Sequence, residues 1–192
     1  AVPFITRRIP VFEVVNEEGL ALIERNADTV LQEVGIDIKG DPEVLGIFRD
    51  AGADVQGERV RFPRGLARQL IQASAPSEFD QYARNPANTV HLGGTATVLA
   101  PAYGSPFVRD LDGGRRYGTI EDFRNFVKLA YVTPFLHHSG GTVCEPVDLP
   151  VNKRHYDMVY AHMKYSDKPF MGSVTHPLRA RDTVDMARIL FG

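Results

Sequence analysis

The 192-residue sequence has no tryptophan and only one cysteine, and neither charge sign dominates it. Each absence excludes something. Cys144 alone cannot close an internal disulfide, so the chain is no disulfide scaffold and a reducing, cytoplasmic compartment is expected. Twenty-two Lys and Arg against 24 Asp and Glu leave a formal charge of −2, without the basic excess of a nucleic-acid binder. No apolar run reaches the roughly 18–20 residues of a membrane-spanning helix. The opening Ala-Val-Pro-Phe-Ile-Thr-Arg-Arg lacks the apolar centre of a signal peptide. Neither nucleic acid nor membrane is therefore an expected partner. Dinucleotide and P-loop glycine patterns are missing, as is the Gly-x-Ser-x-Gly of a hydrolase elbow.

What is present is ordinary globular material, 43% hydrophobic and 24% charged. Pro3 and Pro10 break residues 1–15 into an arm. Asn16 reads as an N-cap with Glu17 and Glu18 behind it. Leu20, Ile23, Ala27, Val30, Leu31 and Val34 then recur at helical steps, predicting one buried stripe that stops at Gly35. Ile36–Ile38 reads as a short strand. Asp41-Pro42 opens a second helix, which ends at Gly52. Residues 55–62 form a hairpin turning near Gly57, and Pro63 starts a third helix ending at Ala75-Pro76. Strands are expected at 79–82 and 89–92.

The pattern changes near residue 95. A β-favouring run at 95–100 leads through a glycine- and proline-punctuated segment to a helix opened by Thr119 and Asp122 in a capping-box-like arrangement. A strand through 134–143, a helix over 154–165, a strand over 168–174 and a helix to Leu190 follow. This βαβαβα order implies an α/β fold with a parallel sheet and right-handed crossovers. The expected organisation is a mainly helical α+β region over 1–94, then the first three or so βα units of a TIM (β/α)8 barrel over 95–192. A closed barrel needs eight units and about 250 residues, so the sequence reads as a piece of a longer protein.

Function in such sheets sits at the carboxyl ends of the strands. Tyr103, Ser105 and Phe107 follow the first strand, and the two aromatics among them offer faces that can hold a quaternary ammonium. Cys144 and Glu145 follow the second. The cysteine is a candidate nucleophile, although a buried inert thiol is the commoner case. Glu145 is a candidate acid, base or cation-attracting group. Ser173, Thr175 and His176 follow the third strand. His137, His138, Cys144, His155, His162 and His176 fall within forty residues, yet without metal-ligand spacing. On these residues alone two readings stay open: a metal-assisted barrel hydrolase or lyase using His138, Glu145 and His176, and a non-catalytic small-molecule binding module.

The ordered segments Val30–Ile38, Phe48–Val55, Arg59–Pro63, Ala73–Pro76, Tyr82–Pro86, His91–Gly94, Pro106–Arg116 and Thr119–Phe123 span most of residues 20–175. In that order and spacing the chain resembles the N-terminal part of the trimethylamine methyltransferase family. One departure is Ala100–Ser105, where a more glycine-rich stretch is expected and Tyr103 adds an aromatic face. The resemblance implies a TIM barrel and methyl transfer from trimethylamine, or a quaternary amine such as glycine betaine, to the cobalt of a separate corrinoid (cobalamin) protein. That cofactor would be carried by the partner rather than bound tightly by this chain. A pyrrolysine, where the family has one, would lie beyond this sequence, and a homo-oligomer is expected. The site expected from strand-end position has Glu145 and His176 as catalytic residues. Tyr103, Ser105, Phe107, His138, Ser173 and Thr175 would bind substrate, with no metal ligands.

Overall fold

The computed structural model describes residues 4–192, so Pro3 lies outside the described residues. Two compact units emerge, Ile9–Pro76 and Ser77–Gly192, the latter joined by Ala1–Arg8, whose description begins at Phe4. The position 94/95, where the sequence changes character, therefore falls inside the second unit. A two-residue strand, β1 (Ile5–Thr6), interrupts the expected arm.

In the Ile9–Pro76 unit, α1 (Glu17–Thr29) begins where Asn16 accepts a hydrogen bond from the Gly19 N–H at 2.9 Å. A wider turn continues it over Val30–Val34 until Gly35, at φ +72°, ends it. A Cβ at Gly35 would lie 2.2 Å from the Val60 carbonyl oxygen, so only glycine fits this stop. Strand β2 (Ile36–Asp37), helix α2 (Pro42–Asp50) and hairpin β3 (Asp54–Gln56) and β4 (Arg59–Arg61) follow. β4 pairs antiparallel with both β2 and β3. Helix α3 (Leu66–Ser74) starts three residues after Pro63, because Gly65 must first turn the chain at φ +77°.

The core here is Ala53, Val60 and Phe62, packed by Leu31, Ile38, Leu45, Phe48, Val55 and Leu66. Phe48 and Phe62 meet edge to face at 5.3 Å. The expected buried stripe of α1 is corrected. Leu20, Ile23, Val30 and Val34 are exposed, and only Leu31 packs on the core, because this unit offers α1 no larger apolar surface.

In the other unit, β5 (Glu78–Gln81) pairs antiparallel with β6 (Val90–Gly93), and β7 (Ala96–Thr97) pairs with β1. A second hairpin, β8 (Phe107–Asp110) and β9 (Gly114–Tyr117), precedes α4 (Ile120–Val132). The capping box at α4 is complete. Asp122 N–H donates to Thr119 Oγ1, and Asp122 Oδ2 accepts from Thr119 N–H at 2.8 Å. Aspartate thus serves where glutamate or glutamine is usual. Helices α5 (Arg154–Tyr165) and α6 (Pro177–Phe191) complete the chain, and α5 packs against both α4 and α6. The core joins Val108, Phe123, Val127, Val143, Cys144, Met158 and Ala161.

The strands expected at 134–143 and 168–174 do not form regular ladders, nor does 95–100 beyond β7. Extended segments stand in their place. His137 N–H donates to Leu99 O at 2.9 Å and Gly104 N–H to Thr142 O at 2.7 Å, a constant offset that means parallel chains. Ser139 N–H donates to Pro169 O at 2.8 Å and Met171 N–H to Gly140 O at 2.9 Å, again in the parallel sense. Three features interrupt the ladders. Pro101 and Pro169 lack N–H donors. Side chains capture others: His137 Nδ1 accepts the Leu99 N–H and His138 Nδ1 the Gly140 N–H, each at 2.8 Å. Gly140 turns at φ +90°.

Candidate functional site

The carboxyl ends of these three segments surround a cleft of about 290 Å³. Tyr103 and Gly104 come from the first, Gly141, Thr142 and Glu145 from the second, and Met171 to Thr175 from the third. Four residues selected by strand-end position therefore meet here: Tyr103, Glu145, Ser173 and Thr175. The second segment lies in the middle, bonded to the other two, so Tyr103 and Thr175 stand on opposite walls.

Glu145 is held from two sides. Its N–H donates to Ser105 O at 2.9 Å, and its Oε2 accepts from Arg154 Nη1, at the start of α5, at 3.0 Å. One carboxylate oxygen is thus engaged in an ion pair at the cleft. Thr175 Oγ1 accepts from Arg179 Nη1 at 2.6 Å, and Arg179 Nη2 donates to Val151 O at 2.8 Å.

The other selected residues have structural tasks and do not line the cleft. Ser105 Oγ donates to Phe107 O at 2.7 Å, closing a local turn. Phe107 packs tilted against Tyr117, ring centroids 4.7 Å apart, and Arg115 sits 3.8 Å over its ring, so its cation seat is already filled by this chain. His176 caps α6, accepting the Leu178 N–H at Nδ1, 3.2 Å away. His138 is buried, and its Nε2 donates to Gln81 Oε1 at 3.1 Å. Burial lowers its pKa to about 4, so it is neutral near pH 7. His138, Glu145 and His176 are not gathered as a metal-assisted reaction requires. No cluster of three or more potential metal ligands occurs among the described residues.

Cys144 is buried in the α4–α5 core, and burial first, with Asp122 next, pushes its thiol up to about 12. It is not poised as a nucleophile.

Three arrangements escaped sequence reasoning. His162, 1% exposed, joins Ser139 Oγ at 2.7 Å to Gly141 O at 2.8 Å. A carbonyl only accepts, so Nε2 carries the proton and Nδ1 accepts from Ser139. Lys168 is buried with Nζ on the carbonyls of Ala130, Thr133 and Leu136. His155 meets Asp182 at 2.7 Å. The available signal was spacing: His155 and His162 lie two helical turns apart, on one face of α5. The Arg179–Thr175 pair is similarly an i, i+4 relation across the start of α6.

The cleft has small-ligand dimensions. No helix of the described residues is long and apolar enough to cross a membrane.

Comparison with known proteins gives a consistent picture. The family model described as Trimethylamine methyltransferase (MTTB) matches residues 1–192. The chain is 43% identical over 184 residues to the glycine betaine methyltransferase of Desulfitobacterium hafniense (strain Y51), covering 96% of this chain and 38% of that protein. It is 28% identical over 178 residues to the L-carnitine:corrinoid methyltransferase of Eubacterium limosum, covering 85% and 35%. It is also 28% identical over 173 residues to the proline betaine:corrinoid methyltransferase of the same organism, covering 87% and 34%. The chain thus spans little more than a third of the length of the curated relatives it matches.

Proposed function

The chain belongs to the trimethylamine methyltransferase family, and from this premise we propose that its protein transfers a methyl group from glycine betaine to a corrinoid protein. The observation that carries the substrate is the 43% identity to a glycine betaine methyltransferase over 96% of this chain. The two further relatives named for carnitine and proline betaine also act on quaternary amines bearing a carboxylate, which favours betaines over trimethylamine.

The chemistry sets modest demands. The methyl carbon leaves nitrogen, the bonding electron pair stays on nitrogen as the neutral amine, and the acceptor cobalt supplies the pair for the new bond. No proton moves, so no general acid is required. Glu145 then acts as a counter-charge to the ammonium, and Tyr103 as an aromatic face against it. Both line one cleft. Holding the substrate in one orientation, away from water, is the remaining contribution.

We also propose that the three parallel segments with α4, α5 and α6 are the first βα units of a (β/α)8 barrel. Support comes from their order, their parallel bonding and a cleft at their carboxyl ends.

The test uses the full-length protein with chemically reduced cobalamin as acceptor, supplied in turn with glycine betaine, L-carnitine, proline betaine and trimethylamine. Formation of methylcobalamin and dimethylglycine in equal amounts from glycine betaine is expected, with little from trimethylamine. Methylation from trimethylamine alone would replace the substrate. No methylcobalamin from any of the four amines would overturn the reading.

A further inference from the structure

A betaine is a zwitterion, and the cleft has two unlike walls. Tyr103 supplies an aromatic face and Glu145 a carboxylate whose charge Arg154 balances at 3.0 Å, so this wall is neutral overall and its ring face suits a cation. Across the central segment, Thr175 presents a hydroxyl backed by Arg179. Arg179 is fixed from both ends, with Nη1 2.6 Å from Thr175 Oγ1 and Nη2 2.8 Å from Val151 O.

This bond determines what Thr175 can still do. A hydroxyl has one donor hydrogen and two acceptor lone pairs. One lone pair already receives an N–H from a permanently charged guanidinium. The hydroxyl hydrogen is left to donate, and the adjacent positive charge strengthens that donation toward an anion. The same charge opposes a cation on this wall.

Resting on the betaine reading above, we propose that Thr175 binds the carboxylate of the substrate and that Arg179, acting through Thr175, is the positioning residue that makes the protein select carboxylate-bearing quaternary amines. The zwitterion lies across the cleft with its ammonium toward Tyr103 and Glu145. A methylated amine without a carboxylate gains nothing from Arg179, so the pair separates betaines from simple methylamines. Ser173, two residues before Thr175, lines the same wall and offers a second hydroxyl.

The experiment measures binding by the full-length protein, using glycine betaine and tetramethylammonium as matched probes. They share a quaternary head and differ in the carboxylate. Arg179→Gln and Thr175→Val are expected to weaken glycine betaine about tenfold, the loss of one charge-assisted hydrogen bond. Tetramethylammonium should change by less than about twofold, which also reports that the variants remain folded. Arg179→Lys, which keeps the charge, should retain most of the betaine affinity. Equal weakening of both probes would make Arg179 merely structural and overturn the proposal, as would unchanged betaine binding. Binding of neither probe by the unsubstituted protein would instead bring down the betaine reading on which the proposal rests.

Discussion

Nε2 of His162 lies 2.8 Å from the carbonyl oxygen of Gly141, so a buried ring on α5 fixes backbone that lines the cleft. The ring stacks parallel on Phe170 at 5.7 Å and meets Phe123 edge-on at 5.3 Å. His138, on the segment itself, is tied to Gly140 and Gln81. Two neutral histidines therefore brace the central segment from different sides.

Their burial makes stability sensitive to acid. Desolvation lowers both His138 and His162 to about 4, against 6.5 for a free histidine. Below pH 6.5 the unfolded chain takes up protons that the fold refuses until about pH 4. The stability that neutrality provides is thus complete above 6.5 and falls as pH drops toward 4. Replacing His162 or His138 by Gln should remove about one proton from the uptake on unfolding at pH 5.5. Urea titrations of the full-length protein at pH 5.5 and 7.5 would read this as a flatter pH slope, and an unchanged slope would refute it.

Much of the local structure was legible because caps and turns are written in neighbouring residues. Asn16, Asp41-Pro42, the turn at Gly57 and the Thr119–Asp122 box all act over two to four positions. The β8–β9 hairpin carried a readable signal too, a Gly-Gly turn after Phe107–Asp110, but the surrounding glycines and prolines masked it. The ladders were less legible, because one donor, the Leu99 N–H, went to the side chain of His137, 38 positions away. Strand-end position identified Tyr103, Glu145, Ser173 and Thr175 at one cleft. It could not tell that His176 would cap its own helix or that Arg115 would cover Phe107, since residue type alone does not fix orientation.

Lys168 closes the end of α4. Its ammonium donates to Ala130 O at 2.8 Å, Thr133 O at 3.0 Å and Leu136 O at 2.6 Å. These include carbonyls that the helix end leaves unpaired. Burial lowers the lysine pKa, and the Asp167 carboxylate opposes that shift. Lys168→Met keeps the length of the stem and removes the donors. It should cost about 2–3 kcal/mol, the penalty of stranding buried acceptors next to a lost charge. Calorimetric melting of the full-length protein would show a fall of several degrees, and an unchanged transition would mean that water satisfies the carbonyls.

Cys144 is predicted to be unreactive in the native protein. Its thiol is 1% exposed and held up to about 12 by burial, so almost no thiolate exists near neutral pH. Iodoacetamide labelling followed by peptide mass spectrometry should leave Cys144 unmodified until denaturant is added. Cys144→Ser should leave the proposed methyl transfer largely intact, and loss of activity in a variant with normal melting would restore the nucleophile reading.

Tyr103 separates an aromatic role from a hydroxyl role. Its side chain is exposed at the cleft wall opposite Thr175. A ring face against a quaternary ammonium contributes about 0.5–2 kcal/mol, which corresponds to roughly a twofold to thirtyfold change in affinity. On the betaine reading proposed above, Tyr103→Ala should raise KM for glycine betaine within that range. If the ring grips the ammonium equally in the ground and transition states, kcat should change little. Tyr103→Phe retains the face and should behave almost as the unsubstituted protein. The reverse pattern, with Phe as damaging as Ala, would assign the work to the hydroxyl and move the ammonium toward Glu145 alone.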